Sequence, residues 1–265
     1  MNIWITALLA LTVTTPICAS EPAARALAAG DYASARTLGQ TSRTAKGLMT
    51  ACRAGMLLGG YYEAGEAAIK SLHTAANDCL GVIKQDNRHV NARITLAIVI
   101  GFEGKRWRRP SLATQSKRLL QQTHTDFPDS PAAQGALGGW HSEVSAAGFL
   151  ARLYLGARRG KAGQYFAGAI TKGEHSAAFY LEYVKFLARG KKVDRALARE
   201  VAKTILSQPP NDAIDRLMQQ KIAEIRAALN TGDKAEIKKA IAAATAFNGI
   251  KKWRTIPVLQ INLPE

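Results

Sequence analysis

The chain has 265 residues, 47% of them hydrophobic, with 36 Lys and Arg against 20 Asp and Glu, a formal charge of +16. A chain this long buries roughly 70% of the surface its unfolded form exposes, so no disulfide scaffold is required, and the cysteine count is three. Beyond residue 20 no stretch reaches the roughly 20 uncharged apolar residues of a membrane span, which excludes a membrane-embedded body.

The first twenty residues carry no charged side chain. A largely apolar run from Ile3 to Val13 leads into Pro16 and the small-residue stretch Cys18-Ala19-Ser20. That order of apolar segment, helix breaker and small residues predicts a secretory signal over 1–20, cleaved near Ala19 or Ser20. The expected location is extracytoplasmic, in the periplasm. Cys52 and Cys79 then remain in a compartment where disulfides survive. If residues 43–59 and 62–85 form a hairpin turning near Gly60, however, Cys79 lies roughly 16 Å beyond the point opposite Cys52, too far to bridge. That register favours two buried thiols. Only a break in either helix would bring them together.

From residue 21 onward the apolar spacing is helical. One stripe runs through Ala133, Ala136, Leu137, Trp140, Val144, Ala147 and Ala151; another through Phe179, Tyr180, Tyr183, Phe186 and Leu187. A third joins Ile214, Leu217, Met218, Ile222, Ile225 and Leu229. The connections alternate between glycine turns at Gly30, Gly60, Gly190 and Gly232 and Pro/Asp/Asn turns at 86–87, 126–131 and 209–212. These signals predict an all-α fold, a solenoid of about six antiparallel helix pairs near 22–41, 43–85, 88–127, 131–171, 175–207 and 212–246. Stacking covers the apolar face that each pair alone would leave exposed. The segment 251–265 is expected to be an extended tail that caps the last pair.

The residues Asp129-Ser130-Pro131-Ala132-Ala133 and Leu137-Gly138-Gly139-Trp140-His141-Ser142-Glu143-Val144, with the Ala188-Arg189-Gly190-Lys191 and Pro209-Pro210-Asn211-Asp212 turns, carry a likeness. Over residues 60–228 the chain resembles the TPR-like family typified by regulator of microtubule dynamics proteins. It is also loosely similar to the periplasmic TPR proteins associated with TRAP-type transporters. The resemblance implies a tetratricopeptide-like helical fold and no enzyme activity. A microtubule role does not fit an export signal.

The charge is concentrated in Lys105-Arg106-Trp107-Arg108-Arg109, in Arg158-Arg159-Gly160-Lys161 and in Lys191-Lys192 after Arg189. The nine binding candidates are Lys105, Arg106, Arg108, Arg109, Arg158, Arg159, Lys161, Lys191 and Lys192. All are expected at C-terminal ends of the first helices of their pairs, along one rim. Cations there complement the helix dipole, but four in five residues exceed that need and point to an anionic partner. Lys251-Lys252-Trp253-Arg254 is expected on the opposite rim.

Catalytic signatures are missing. His141 and Glu143 match half of a zinc-deaminase motif without its cysteine pair and read as a solvated pair. Gly156 to Lys161 lacks the spacing and the hydroxyl of a phosphate-binding loop. No cofactor, metal or catalytic residue is expected. The leading functional expectation is an exported scaffold that binds a protein partner. The alternatives are a solute-binding accessory of an envelope transporter, and attachment to an anionic membrane or cell-wall polymer. Nucleic acid is not an expected partner of an exported chain.

Overall fold

The computed structural model describes residues 21–261, which form thirteen α-helices and no strand. The first antiparallel pair is α1 (Pro22–Ala29) with α2 (Tyr32–Ser42), and the second is α3 (Ala45–Leu57) with α4 (Gly65–Gln85). The third is α5 (Val90–Trp107) with α6 (Pro110–Asp126). In the fourth, α7 (Pro131–Ala146) packs on α9 (Arg159–Thr171), with a short helix, α8 (Phe149–Leu155), between them. The fifth is α10 (Ala177–Ala188) with α11 (Lys192–Leu206); the sixth is α12 (Ala213–Thr231) with α13 (Lys234–Ala243). The all-α array of six helix pairs follows the periodicity of the sequence, and α8 is an addition to it. None of the described helices is long and apolar enough to cross a membrane. The expected export signal and the last four residues of the tail lie outside the described residues.

Many of the helix starts are fixed by side-chain caps. Asp31, Thr44, Ser130, Ser176, Asp212 and Asp233 each accept a hydrogen bond from a backbone N–H in the first turn of the helix that follows. Gly30 and Gly232 end α1 and α12 in the left-handed conformation, as the glycine turns imply. Gly190 falls in the turn between two helices, as implied, but outside the left-handed conformation. A Cβ on Gly190 would lie 2.1 Å from Asp194 Oδ2 and 2.3 Å from Arg159 Nη2, so this glycine makes room for an ion pair. At Gly60 the chain does not turn at all.

Instead α3 runs on through a π-helical segment, Leu58–Tyr62, and reverses only at residues 63–65. A Cβ on Gly59 would sit 2.7 Å from the Ala68 carbonyl, so the glycines here serve close approach. Moving the reversal by some four residues shifts the pairing of α3 with α4 by about twice that. Gly55 now faces Ala75, and Cys52 faces Cys79 with their Cα atoms 5.6 Å apart. The two cysteines form a disulfide, fully buried, which corrects the expectation of two free thiols. The physical reason is that Gly60 lies within the helix, where it makes space, and the turn falls beyond it.

Three apolar clusters hold the pairs together. One joins α3, α4 and α5 through residues such as Ile69, Leu72, Leu96 and Ile100. A smaller one seats Trp140 and Leu137 of α7 against Ile94, Ala97 and Leu120 of the third pair. The largest brings opposite ends of the chain together: Leu27, Tyr32 and Ala35 of the first pair share it with Ile214, Met218 and Ile222 of α12. Gly30 packs directly on Ala213. The Tyr61 hydroxyl lies 4.0 Å from Met218 Sδ, and the Phe247 N–H donates to the Gly60 carbonyl at 2.9 Å. The array therefore curves until its first and last pairs meet.

The tail departs from expectation. After α13 a single 3-10 turn, Ile250–Lys252, leads into an extended stretch whose Trp253, Ile256, Leu259 and Ile261 pack on the α3–α5 cluster. The tail thus covers the middle pairs, and α1 and α2 cover the last one.

The disulfide closes a segment of sequence separation 27, which by chain entropy contributes about 3–4 kcal/mol. The Cys52→Ala/Cys79→Ala variant is expected to melt about 10 °C lower than the parent protein. A thiol titration of the denatured, unreduced chain that counts both cysteines as free would overturn the bridge.

Candidate functional site

The nine basic residues do not share one environment. Arg108 and Arg109 end α5 and begin α6, both exposed, with the Arg109 guanidinium 5.8 Å from the Trp107 ring centre. Arg158 and Lys161 are exposed at the start of α9, and Lys191 and Lys192 are exposed at the start of α11. These last two clusters therefore lie at helix N-termini, which corrects their assignment to C-terminal ends. A stripe through Ala147 and Ala151 implies one unbroken helix, whereas α7 stops at Ala146 and Gly148 takes φ 128°. Cations at helix starts oppose the helix dipole, so dipole complementarity does not account for the exposed Arg158, Lys161, Lys191 and Lys192. Arg159 is engaged: it donates to Asp194 Oδ2 at 3.0 Å and to the Phe186 carbonyl at 3.0 Å while lying over the Phe186 ring.

Arg106 is entirely buried. Its guanidinium grips the Glu103 carboxylate at 2.8 and 2.7 Å and donates to the carbonyls of Trp253, Ile256 and Pro257. Glu103 in turn accepts from the Leu259 N–H at 2.9 Å and lies 3.3 Å from His73 Nε2. Burial pushes Glu103 up, but the hydrogen bonds from His73, Arg106 and Leu259, with the Arg106 charge, outweigh it and hold the carboxyl at about 2. A fixed ion pair thus clamps the tail backbone, and Arg106 is structural. Arg254 adds a bond from its Nε to the Arg106 carbonyl at 3.0 Å, and Lys251 lies within electrostatic reach of Lys105. The segment 251–254 therefore sits at the same end as 105–109, a correction to the opposite-rim expectation.

Lys105 points inward, toward a cluster of charges on α7 and α10. Glu143 Oε1 is 2.8 Å from Arg189 Nη1 and 3.3 Å from Lys185 Nζ. Lys185, with a side chain only 2% exposed, also binds the Glu182 carboxylate at 2.7 Å. Burial raises Glu143, yet the charges of Lys185 and Arg189 hold it below the usual carboxylate range. Its side chain keeps 34% exposure. Burial, with repulsion from Lys185, Lys251 and Arg189, lowers Lys105, and Glu143 opposes this. Among the described residues Lys105 has no hydrogen bond or ion pair. Tyr61 faces the same charges: burial and the carboxylates of Glu182 and Glu143 raise its phenol.

Beside Tyr61 opens a recess of about 190 Å³, lined by Glu63, Lys221, Thr245, Asn248 and Trp253 among others. Glu63 Oε2 is buried there without a hydrogen-bond partner among the described residues. His141 and Glu143 are not the solvated pair that their spacing implied. Glu143 is ion-paired, and His141 is buried, stacked on Tyr165 and accepting a long bond from the Arg158 N–H at 3.4 Å.

The short helix α8 adds a surface that the sequence motifs do not announce. Phe149, Leu150, Leu153 and Tyr154 of α8 are 65, 78, 69 and 76% exposed. They lie off the phase of the α7 seam stripe, between Gly148 and Gly156. Apolar residues out of register between two glycines are the readable signal.

Comparison with protein-family models gave no match, and no curated protein is significantly similar to the chain.

Burial, with Lys117 and Lys161 nearby, pushes the His141 imidazole down from the ordinary 6.5 to about 4. The unfolded chain therefore takes up the proton first, so this histidine's contribution is intact above about pH 6.5 and is lost as the pH falls toward 4. His141→Phe should flatten the thermal midpoint across that window relative to the parent protein. Parallel midpoint curves for the two would sink the assignment.

Proposed function

We propose that the protein is an exported, non-catalytic helical-repeat scaffold of the tetratricopeptide kind that binds a protein partner at the charged inner mouth of its closed array. The observation that carries this reading is Lys105: a half-buried cation beside Glu143, Lys185 and Arg189, with no ion-pair partner of its own among the described residues. A lysine held this way lowers its energy when an incoming carboxylate pairs with it, and the surrounding charges fix where that carboxylate goes. The adjoining recess, at about 190 Å³, is smaller than the roughly 300–1,000 Å³ of sites that enclose a small ligand. Its size suits one side chain or a short segment of a larger partner, which favours the scaffold over a solute-binding accessory.

The disulfide supports an oxidising compartment, in line with the signal-like residues 1–20. The absence of catalytic motifs in the sequence supports binding as the activity.

The test is cross-linked affinity capture from an envelope extract at low salt, with wild type and Lys105→Ala side by side. One discrete partner should be recovered with wild type and reduced about tenfold with the variant, the loss expected when a half-buried charge pair is truncated. Recovery of no partner by wild type, or equal recovery by both, would overturn the reading.

A further inference from the structure

We propose that α8 and the cationic surface beside it dock the protein on an anionic phospholipid bilayer. Phe149, Leu150, Leu153 and Tyr154 stand at positions i, i+1, i+4 and i+5 of one helix, a face of roughly 140° at 100° per residue. None of the four enters any apolar cluster of the fold. A contiguous exposed group of this kind on a water-soluble surface marks an interaction site.

The helix is a held element. Leu155 and Ala157 anchor its far end in the cluster around Trp140, and Lys117 Nζ donates to the Leu155 carbonyl at 3.2 Å. Gly148 and Gly156, both at positive φ, set it off from α7 and α9 as a separate two-turn step. Arg152 lies with its guanidinium 5.5 Å from the Phe149 ring centre.

Charge identifies the occupant. From Gly104 to Thr125 and from Val144 to Gly173 the sequence contains no Asp or Glu, and these stretches supply α8, α9 and all of α6 but its last residue, Asp126. Exposed Arg152 lies on α8 itself, exposed Arg158 and Lys161 follow it at the start of α9, and Lys117 holds the carbonyl of its last residue. Apolar and aromatic side chains ringed by Arg and Lys, without acids, match the chemistry of an anionic lipid interface. A second copy of the chain would bring cations against cations. A groove that receives a helix reads anchors at i, i+3, i+4 and i+7, and α8 is too short to offer them and too broad in its apolar face.

Residues 21–265 contain every described helix and all three described apolar clusters, so they are the chain to test, without the apolar N-terminal run. The measurement is flotation with vesicles of phosphatidylglycerol mixed into phosphatidylcholine, against phosphatidylcholine alone. Wild type should float with the anionic vesicles at low salt, be released at high salt and ignore the neutral ones. Leu150→Ser/Leu153→Ser and Arg152→Ala/Arg158→Ala should each weaken flotation by at least about tenfold, with circular dichroism and thermal midpoint unchanged. Failure of wild type to float, equal flotation of the Leu variant, or equal binding to neutral vesicles would overturn the proposal. So would a wild-type dimer in light scattering that the Leu variant dissociates, or an acidic protein partner lost with that variant in the absence of vesicle binding.

Discussion

Every helix pair in this chain has an apolar side that water would penalise, and a row of pairs always ends with two such sides uncovered. Here the row bends until those two sides meet. Tyr32 and Leu27 at one end share a core with Ile214 and Met218 at the other. The meeting depends on small residues: the Gly59-Gly60 step admits Phe247 and Ala246, and Gly30 admits Ala213. A side chain larger than hydrogen at Gly59 would meet the Ala68 carbonyl and the Phe247 ring at once. Curvature, closure and the inward aim of Tyr61 all follow from that step.

Closure changes what the charges do. In an open array the cations at the ends of the helices would all face water, and most would be interchangeable. In the closed one they separate into three kinds. Arg106 and Lys185 are sealed inside and paired with carboxylates, Lys105 is half-buried without such a partner among the described residues, and Arg108, Arg158 and Lys161 remain on the surface. Burying Arg106 is costly unless every donor is satisfied, and the tail satisfies them with three carbonyls while Glu103 balances the charge. The extended tail is ordered by one guanidinium as much as by its own apolar residues.

The helices are legible in the sequence because their ends are written locally. A cap such as Ser130 or Asp233 acts within its own first turn, and a stripe such as Ile214 to Leu229 needs only the helical period. What is not legible is whatever depends on the partner across a seam. Gly60 looks like a helix stop, and only the neighbouring Ala246 and Phe247 reveal that it serves space. That single ambiguity places a turn some four residues early and hides the disulfide. Of the nine basic candidates, charge density alone does not separate Arg106 from Arg108, two residues apart, because burial is decided by a tail almost 150 residues further on. The α8 face is readable from phase, but the neighbouring alanines mask it.

Because the first and last pairs shield one another, the number of pairs is a fixed property of this molecule. An open superhelix tolerates gain or loss of a unit, since each unit sees only its neighbours. A ring does not: one more hairpin would hold the ends apart, and one fewer would leave a gap that Phe247 and Tyr61 could not span. Variation in relatives of this architecture should therefore collect in insertions between existing helices, as α8 already is, and not in the count of pairs.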